Sequence, residues 1–178
     1  MTATVGNLLI EDNKSKTYDI YRKIMFLDAI LFTFASSAIL CLIEPFVTIW
    51  LGKEYILPYS VLIILVINFY LQGMRKAYGL FKEGAGIFYE DRIVPLLESI
   101  INIVFSIIFV NIFGLTGVFL GTIASCLVLY IYSFPKFVYK GLFGRNYIEY
   151  IKDNLRYMTG VKPSAEGATV IVPEAIEE

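Results

Sequence analysis

The stretch IVPLLESIINIVFSIIFVNIFGLTGVFLGTIASCLVLYIYSF, residues 93–134, carries a single charged side chain, Glu98. About 20 residues at 1.5 Å rise cover the ~30 Å hydrocarbon core of a bilayer. Gly114 divides the stretch into two runs of that length, 93–113 and 115–134, and Pro135-Lys136 closes the second. The break at Gly114 is so short that the two runs must turn back on each other as an antiparallel hairpin. Two further runs precede them. Residues 24–43 hold one charge, Asp28, before Glu44-Pro45; residues 57–74 hold none and open at Leu57-Pro58, where proline is tolerated because a first-turn N–H lacks a helical partner anyway. Helices of soluble bundles keep a polar stripe. The runs 57–74 and 115–134 have no charge over about five turns each. The expected fold is all-α: a polytopic membrane protein with four transmembrane helices.

The basic residues fix an orientation. Lys14, Lys16, Arg22 and Lys23 precede the first run, and Lys53 alone lies between the first and second. Arg75, Lys76, Lys82 and Arg92 lie between the second and third, none between the third and fourth, and the rest follow the fourth. Alternate loops therefore hold fourteen and one of the 15 Lys and Arg residues. Loops rich in Lys and Arg stay in the cytoplasm, so the expectation is a multi-pass protein of the cytoplasmic membrane with both termini inside. Its plan is an N-terminal cytoplasmic segment (1–23), a four-helix membrane region (24–144), an interfacial amphipathic helix (145–159) and a disordered tail (160–178). The 1–23 segment begins with a short apolar piece that reads as the tail of an earlier helix. Trp50 and Tyr55 are expected at headgroup level, where amphipathic rings prefer to sit. In 147–157, Ile148, Ile151 and Leu155 recur at helical spacing, which places this segment along the inner surface.

Composition excludes several functions. The chain is 57% hydrophobic and 17% charged, against about 25% charged in soluble domains. It has no His, which removes the commonest general base and metal ligand. Cys41 and Cys126 lie within apolar runs and read as packing residues; no cysteine pair has metal-ligand spacing. No metal or other cofactor is expected. Charge is segregated by loop, with no basic stripe for nucleic acid. No nucleophile elbow or phosphate-binding loop is present, and Glu90-Asp91 beside Arg92 is a weak candidate for a catalytic or metal-binding carboxylate pair. The chain reads as a non-enzyme.

The polar residues inside the runs form rows. Asn68, Gln72 and Arg75, spaced four and three, share one helix face, as do Glu98, Asn102 and Ser106, spaced four and four. With Asp28 they make a polar lining. One reading is interhelical hydrogen bonding at about 0.6–2 kcal/mol per contact; the other is the wall of a water-accessible cavity. A charge at the bilayer centre costs roughly 2.5–3.5 kcal/mol on the insertion scale, and Asp28, Arg75 and Glu98 lie toward the cytoplasmic ends of their runs, where they can pair. Gly117, Gly121 and Ser125 repeat every four residues, the spacing that lets two helix backbones approach closely.

Four segments together resemble a known family: Trp50-Leu51-Gly52-Lys53-Glu54-Tyr55; the run from Ile64 through Asn68, Gln72 and Gly73 to Arg75; Asp91-Arg92 followed by Pro95, Glu98 and Asn102; and Gly117-Val118-Phe119-Leu120-Gly121-Thr122. Over residues 4–144 they look like the second half of the polysaccharide-biosynthesis membrane proteins. These are the O-antigen and capsular repeat-unit flippases of the MATE-like multidrug/oligosaccharidyl-lipid/polysaccharide exporter superfamily. The resemblance implies part of one lobe of a two-lobe transporter with a central cavity. It implies as substrate an undecaprenyl-pyrophosphate-linked oligosaccharide, moved between leaflets for surface polysaccharide. Arg75 is then the candidate for the pyrophosphate, with Asn68, Gln72, Glu98, Asn102 and Asp28 beside it. The implied partners are the lipid bilayer, the lipid-linked oligosaccharide and an N-terminal lobe missing here, so the chain is expected to be a fragment that does not transport alone. Two alternatives remain: a small self-standing membrane protein that oligomerises or binds a partner, and an enzyme of lipid-linked sugar metabolism using Glu90 and Asp91.

Overall fold

The computed structural model describes residues 2–10 and 13–158, which are mostly helical and contain no strand. The expected 160–178 tail lies outside the described residues. The helices are α1 (Thr2–Ile10), α2 (Lys14–Trp50), α3 (Tyr59–Gly84), α4 (Ile93–Phe113), α5 (Leu115–Val128) and α6 (Tyr147–Met158). A 3₁₀ turn, Lys53–Tyr55, follows α2, and α5 continues as a π-helical segment, Leu129–Leu142. Four helices are long and apolar enough to cross a membrane: α2, α3, α4 and α5 with its π-helical extension. They alternate in direction. One end of the bundle carries Trp50 and Gly114; the other, the basic end, carries the α3–α4 loop and α6.

Three helices outrun their sequence-based bounds, and α3 continues past 74 to Gly84. α2 does not stop at Glu44-Pro45 but carries Pro45 inside and ends at Trp50. With 37 residues it is about 55 Å long, well beyond the ~30 Å apolar slab. Proline deletes one helical hydrogen bond, yet leaving the helix within an apolar medium would strand several backbone groups. One turn on, Thr48 Oγ1 donates to the Glu44 carbonyl at 2.8 Å. Pro135 likewise does not end the last span but sits inside the π-helical segment. There the backbone bond runs from i to i−5, which relieves the clash of the proline ring with the i−4 carbonyl.

Glycine sets the closest contacts. α4 and α5 turn at Gly114, whose φ of +60° disfavours any other residue. A Cβ on Gly117 would lie 2.1 Å from the Phe109 carbonyl oxygen, and one on Gly121 would lie 2.6 Å from the Ser106 nitrogen. The two backbones therefore touch. On α3, the Phe32 ring of α2 covers Gly73, where a Cβ would fall 2.2 Å from the ring. α1 seats Val5 against Gly84 at the end of α3.

At the basic end α2, α3, the π-helical segment and α6 converge on an aromatic core, with Val94 of α4 packed against it. Tyr21 (α2), Tyr78 and Phe81 (α3), and Tyr139 and Phe143 (π segment and its end) are buried, with α6 contributing Tyr150 and Tyr157. Tyr78 stacks on Phe134 at 4.1 Å, and Tyr139 meets Tyr150 edge-on at 4.9 Å. Buried tyrosines need partners for their hydroxyls. Tyr18 and Tyr139 both donate to Asp153 of α6, the second at 3.0 Å. Tyr78 donates to Asn154 at 3.0 Å, Tyr150 to the Tyr130 carbonyl at 2.7 Å, and Tyr130 to the Leu71 carbonyl at 2.7 Å. Burial pushes the Tyr150 and Tyr157 hydroxyls well above the ordinary phenol value, so both remain neutral; the Tyr21 and Tyr157 hydroxyls are buried without a hydrogen-bond partner.

Gly121→Ala is expected to destabilise the protein by about 1–3 kcal/mol, because overpacking meets backbone that cannot swing aside. Gly79→Ala, whose Cβ meets nothing within 4 Å, is expected to gain up to about 1 kcal/mol from helix propensity. Unfolding followed by circular dichroism in detergent reads both signs.

Candidate functional site

The polar rows do not face each other along their length. α5 lies between α3 and the lower part of α4, because Gly117, Gly121 and Ser125 let it seat directly on α4. α5 takes up most of the α4 row: Asn102 Nδ2 donates to Thr122 Oγ1 at 3.2 Å and Ser125 Oγ at 3.3 Å, and Ser106 Oγ donates to the Val118 carbonyl at 3.3 Å. Asn102 and Ser106 thus join two helices, and the shared lining read from the two rows shrinks to its end nearest the loop. The Asn68 side-chain oxygen is buried with no hydrogen-bond partner.

What crosses from α3 to α4 is the longest side chain. Arg75 Nη1 donates to Glu98 Oε1 at 2.7 Å and to Gln72 Oε1 at 3.1 Å, and Nη2 reaches Glu98 Oε2 at 3.4 Å. The fork geometry of guanidinium allows this paired approach, which a lysine cannot reproduce. The side chains remain 30% and 19% exposed, so the pair is reachable from the surrounding space.

The pair lies on a groove of about 570 Å³ between α3, α4 and the π segment. Lys76, Lys82 and Glu83 complete its charged lining, with Leu80, Pro95, Leu129 and Phe134 as its apolar part. Lys76 also lies over the Phe32 ring at 5.3 Å and interacts electrostatically with Asp28, so Asp28 belongs to the α2–α3 contact and not to the Arg75 group. Lys82 is ion-paired with Asp91. The groove is lined by three cations and two carboxylates, with Lys82 further paired to Asp91 behind it.

Asp91, considered from sequence only as half of a carboxylate pair, is buried and does something else. It accepts from Lys82 and, at 2.8 Å, from Ser133 Oγ, which ties the α3–α4 loop to the π segment. No local pattern announces this, since Ser133 is distant in sequence. Glu90 beside it is exposed. Among the described residues no His, Cys, Asp and Glu group could hold a metal ion.

The chain matches no family model, no curated protein and no solved structure.

Arg75→Met and Glu98→Met should each destabilise the protein, because each leaves one charge without its partner. The double variant should lose less than the sum, with a coupling of about 0.5–3 kcal/mol. Thermal unfolding of the four proteins in detergent measures it; strictly additive losses would show that the pair contributes nothing to the fold.

Proposed function

We propose that the four spanning helices form part of one lobe of a transporter that moves a lipid-linked oligosaccharide across the cytoplasmic membrane for surface polysaccharide. The basic end faces the cytoplasm, in accord with the fourteen-to-one distribution of Lys and Arg. The substrate class is the undecaprenyl-pyrophosphate-linked repeat unit of the flippases that the sequence resembles.

The observation that carries the reading is the Arg75–Glu98 pair on the wall of an open groove lined by Lys76 and Lys82. A pyrophosphate offers oxygens that match the guanidinium fork better than most anions do. It would compete with Glu98 for Arg75. Binding would then release Glu98 and loosen this side-chain bridge between α3 and α4, which links substrate entry to helix movement. Leu80, Leu129 and Phe134 supply apolar surface for the adjoining lipid. In this reading a facing lobe closes the groove.

Undecaprenyl pyrophosphate added to the purified chain in micelles should bind, and native mass spectrometry counts the bound molecules. Arg75→Ala should weaken binding about tenfold, equivalent to about 1.4 kcal/mol, and Arg75→Lys should weaken it less. Equal binding by all three would remove Arg75 from the site. A defined oligomer without bound lipid would favour the self-standing membrane protein instead.

A further inference from the structure

α6 has three faces. At about 100° per residue, Tyr150, Asp153, Asn154 and Tyr157 share one sector about 100° wide. Tyr150, Asp153 and Tyr157 are buried, and all four side chains turn toward the aromatic core. Glu149, Lys152 and Arg156 fall in a charged sector about 60° wide at the same spacing. Between them, Ile148, Ile151 and Leu155 form a third sector, and they are 66%, 42% and 58% exposed. The apolar stripe visible in the sequence is therefore not the face that docks α6 onto the protein.

Three observations identify what covers that stripe. The first is depth: Tyr150 bonds the carbonyl of Tyr130, which lies four residues before the end of the apolar run 115–134. Tyr78, which bonds Asn154, lies one turn past the apolar run of α3. α6 thus sits where the hydrocarbon ends. The second is order around the helix. The apolar sector adjoins the protein-facing sector on one side and the charged sector on the other, as a helix lying flat against both a bundle and a membrane requires. The third is charge: Lys152 in the adjoining sector, and exposed Lys136 and Lys140 at the same end, place cations at phosphate level.

We propose that α6 is a membrane-surface helix whose Ile148–Ile151–Leu155 stripe inserts at the headgroup–acyl boundary, so that the aromatic core at the basic end is pinned to the bilayer. This rests on the spanning reading of α2–α5 and not on the transported substrate. The hydroxyls of Tyr18 and Tyr139 on Asp153 hold α6 to the helices, while the stripe holds it to lipid; movement of α3 at Tyr78 is thereby resisted by the membrane surface.

The chain has one Trp, Trp50. In a Trp50→Phe background, single tryptophans are placed by Ile151→Trp, Glu149→Trp and Ile107→Trp, the last on the exposed face of α4. Each protein is reconstituted into vesicles of equal parts phosphatidylcholine and phosphatidylglycerol with brominated acyl chains. The tryptophan at 151 should be quenched by bromine at least severalfold more than that at 149, which aqueous iodide should quench instead. Quenching at 107 by bromine but at 151 only by iodide would overturn the proposal and leave the spans standing. A blue-shifted tryptophan at 151 that neither agent reaches would overturn it in favour of cover by a second copy. Absence of bromine quenching at 107 would overturn the spanning reading on which it rests.

Discussion

The hydrogen-bonded tyrosine core at the basic end is the constraint on which the remaining structure depends. Elsewhere the helices meet in pairs, through Gly73 under Phe32 or through the α4–α5 backbone contact. Only at this end do α2, α3, the π segment and α6 share one packed centre. Tyrosine suits the position because each ring buries apolar area while its hydroxyl still demands a partner. Asp153 accepts from two of these hydroxyls in a buried setting. Removing either phenol would leave the carboxylate undersatisfied, which costs more than the net value of an ordinary hydrogen bond. The core therefore specifies geometry as well as holding it.

That geometry delivers the groove. Tyr78 stacked on Phe134 fixes α3 against the π segment, and Asp91 bound to Lys82 and Ser133 fixes the intervening loop. α5 packs on both α3 and α4, and Arg75 reaches from α3 to Glu98 of α4. The small residues of α5 act in the same direction, drawing α4 inward and absorbing Asn102 and Ser106. A guanidinium that spans a gap, in place of being packed within one, can exchange its carboxylate partner for an incoming anion. This physical difference separates a structural ion pair from a binding element, and it is why the α3–α4 groove carries the functional reading.

Much of the fold was legible in the sequence because membrane spanning is encoded by length and charge alone. The four runs, the hairpin at Gly114 and the glycine spacing on α5 are local properties, visible within a few turns. Helix ends were less legible. Pro45 and Pro135 read as stops, since the usual cost of proline assumes that water can take over the freed backbone groups. The protein-facing side of α6 was not legible, because the groups that Tyr150 and Asp153 meet lie on distant segments of the chain. Of the polar residues proposed as a site, Gln72, Arg75 and Glu98 come together, Asn102 turns to α5 and Asp28 to Lys76. Spacing along one helix gives a shared face but not the neighbour that the face meets.

Orientation is the premise that joins the basic end, the groove and α6, and cysteine labelling tests it most directly. With Cys41 and Cys126 replaced by alanine, single cysteines are introduced by Lys53→Cys and Glu90→Cys, and cells are treated with a membrane-impermeant maleimide. The cysteine at 53 is expected to react in intact cells, and the cysteine at 90 only after the membrane is opened. Labelling of 90 in intact cells with protection of 53 would invert the protein, and equal labelling of both would contradict a membrane lying between them.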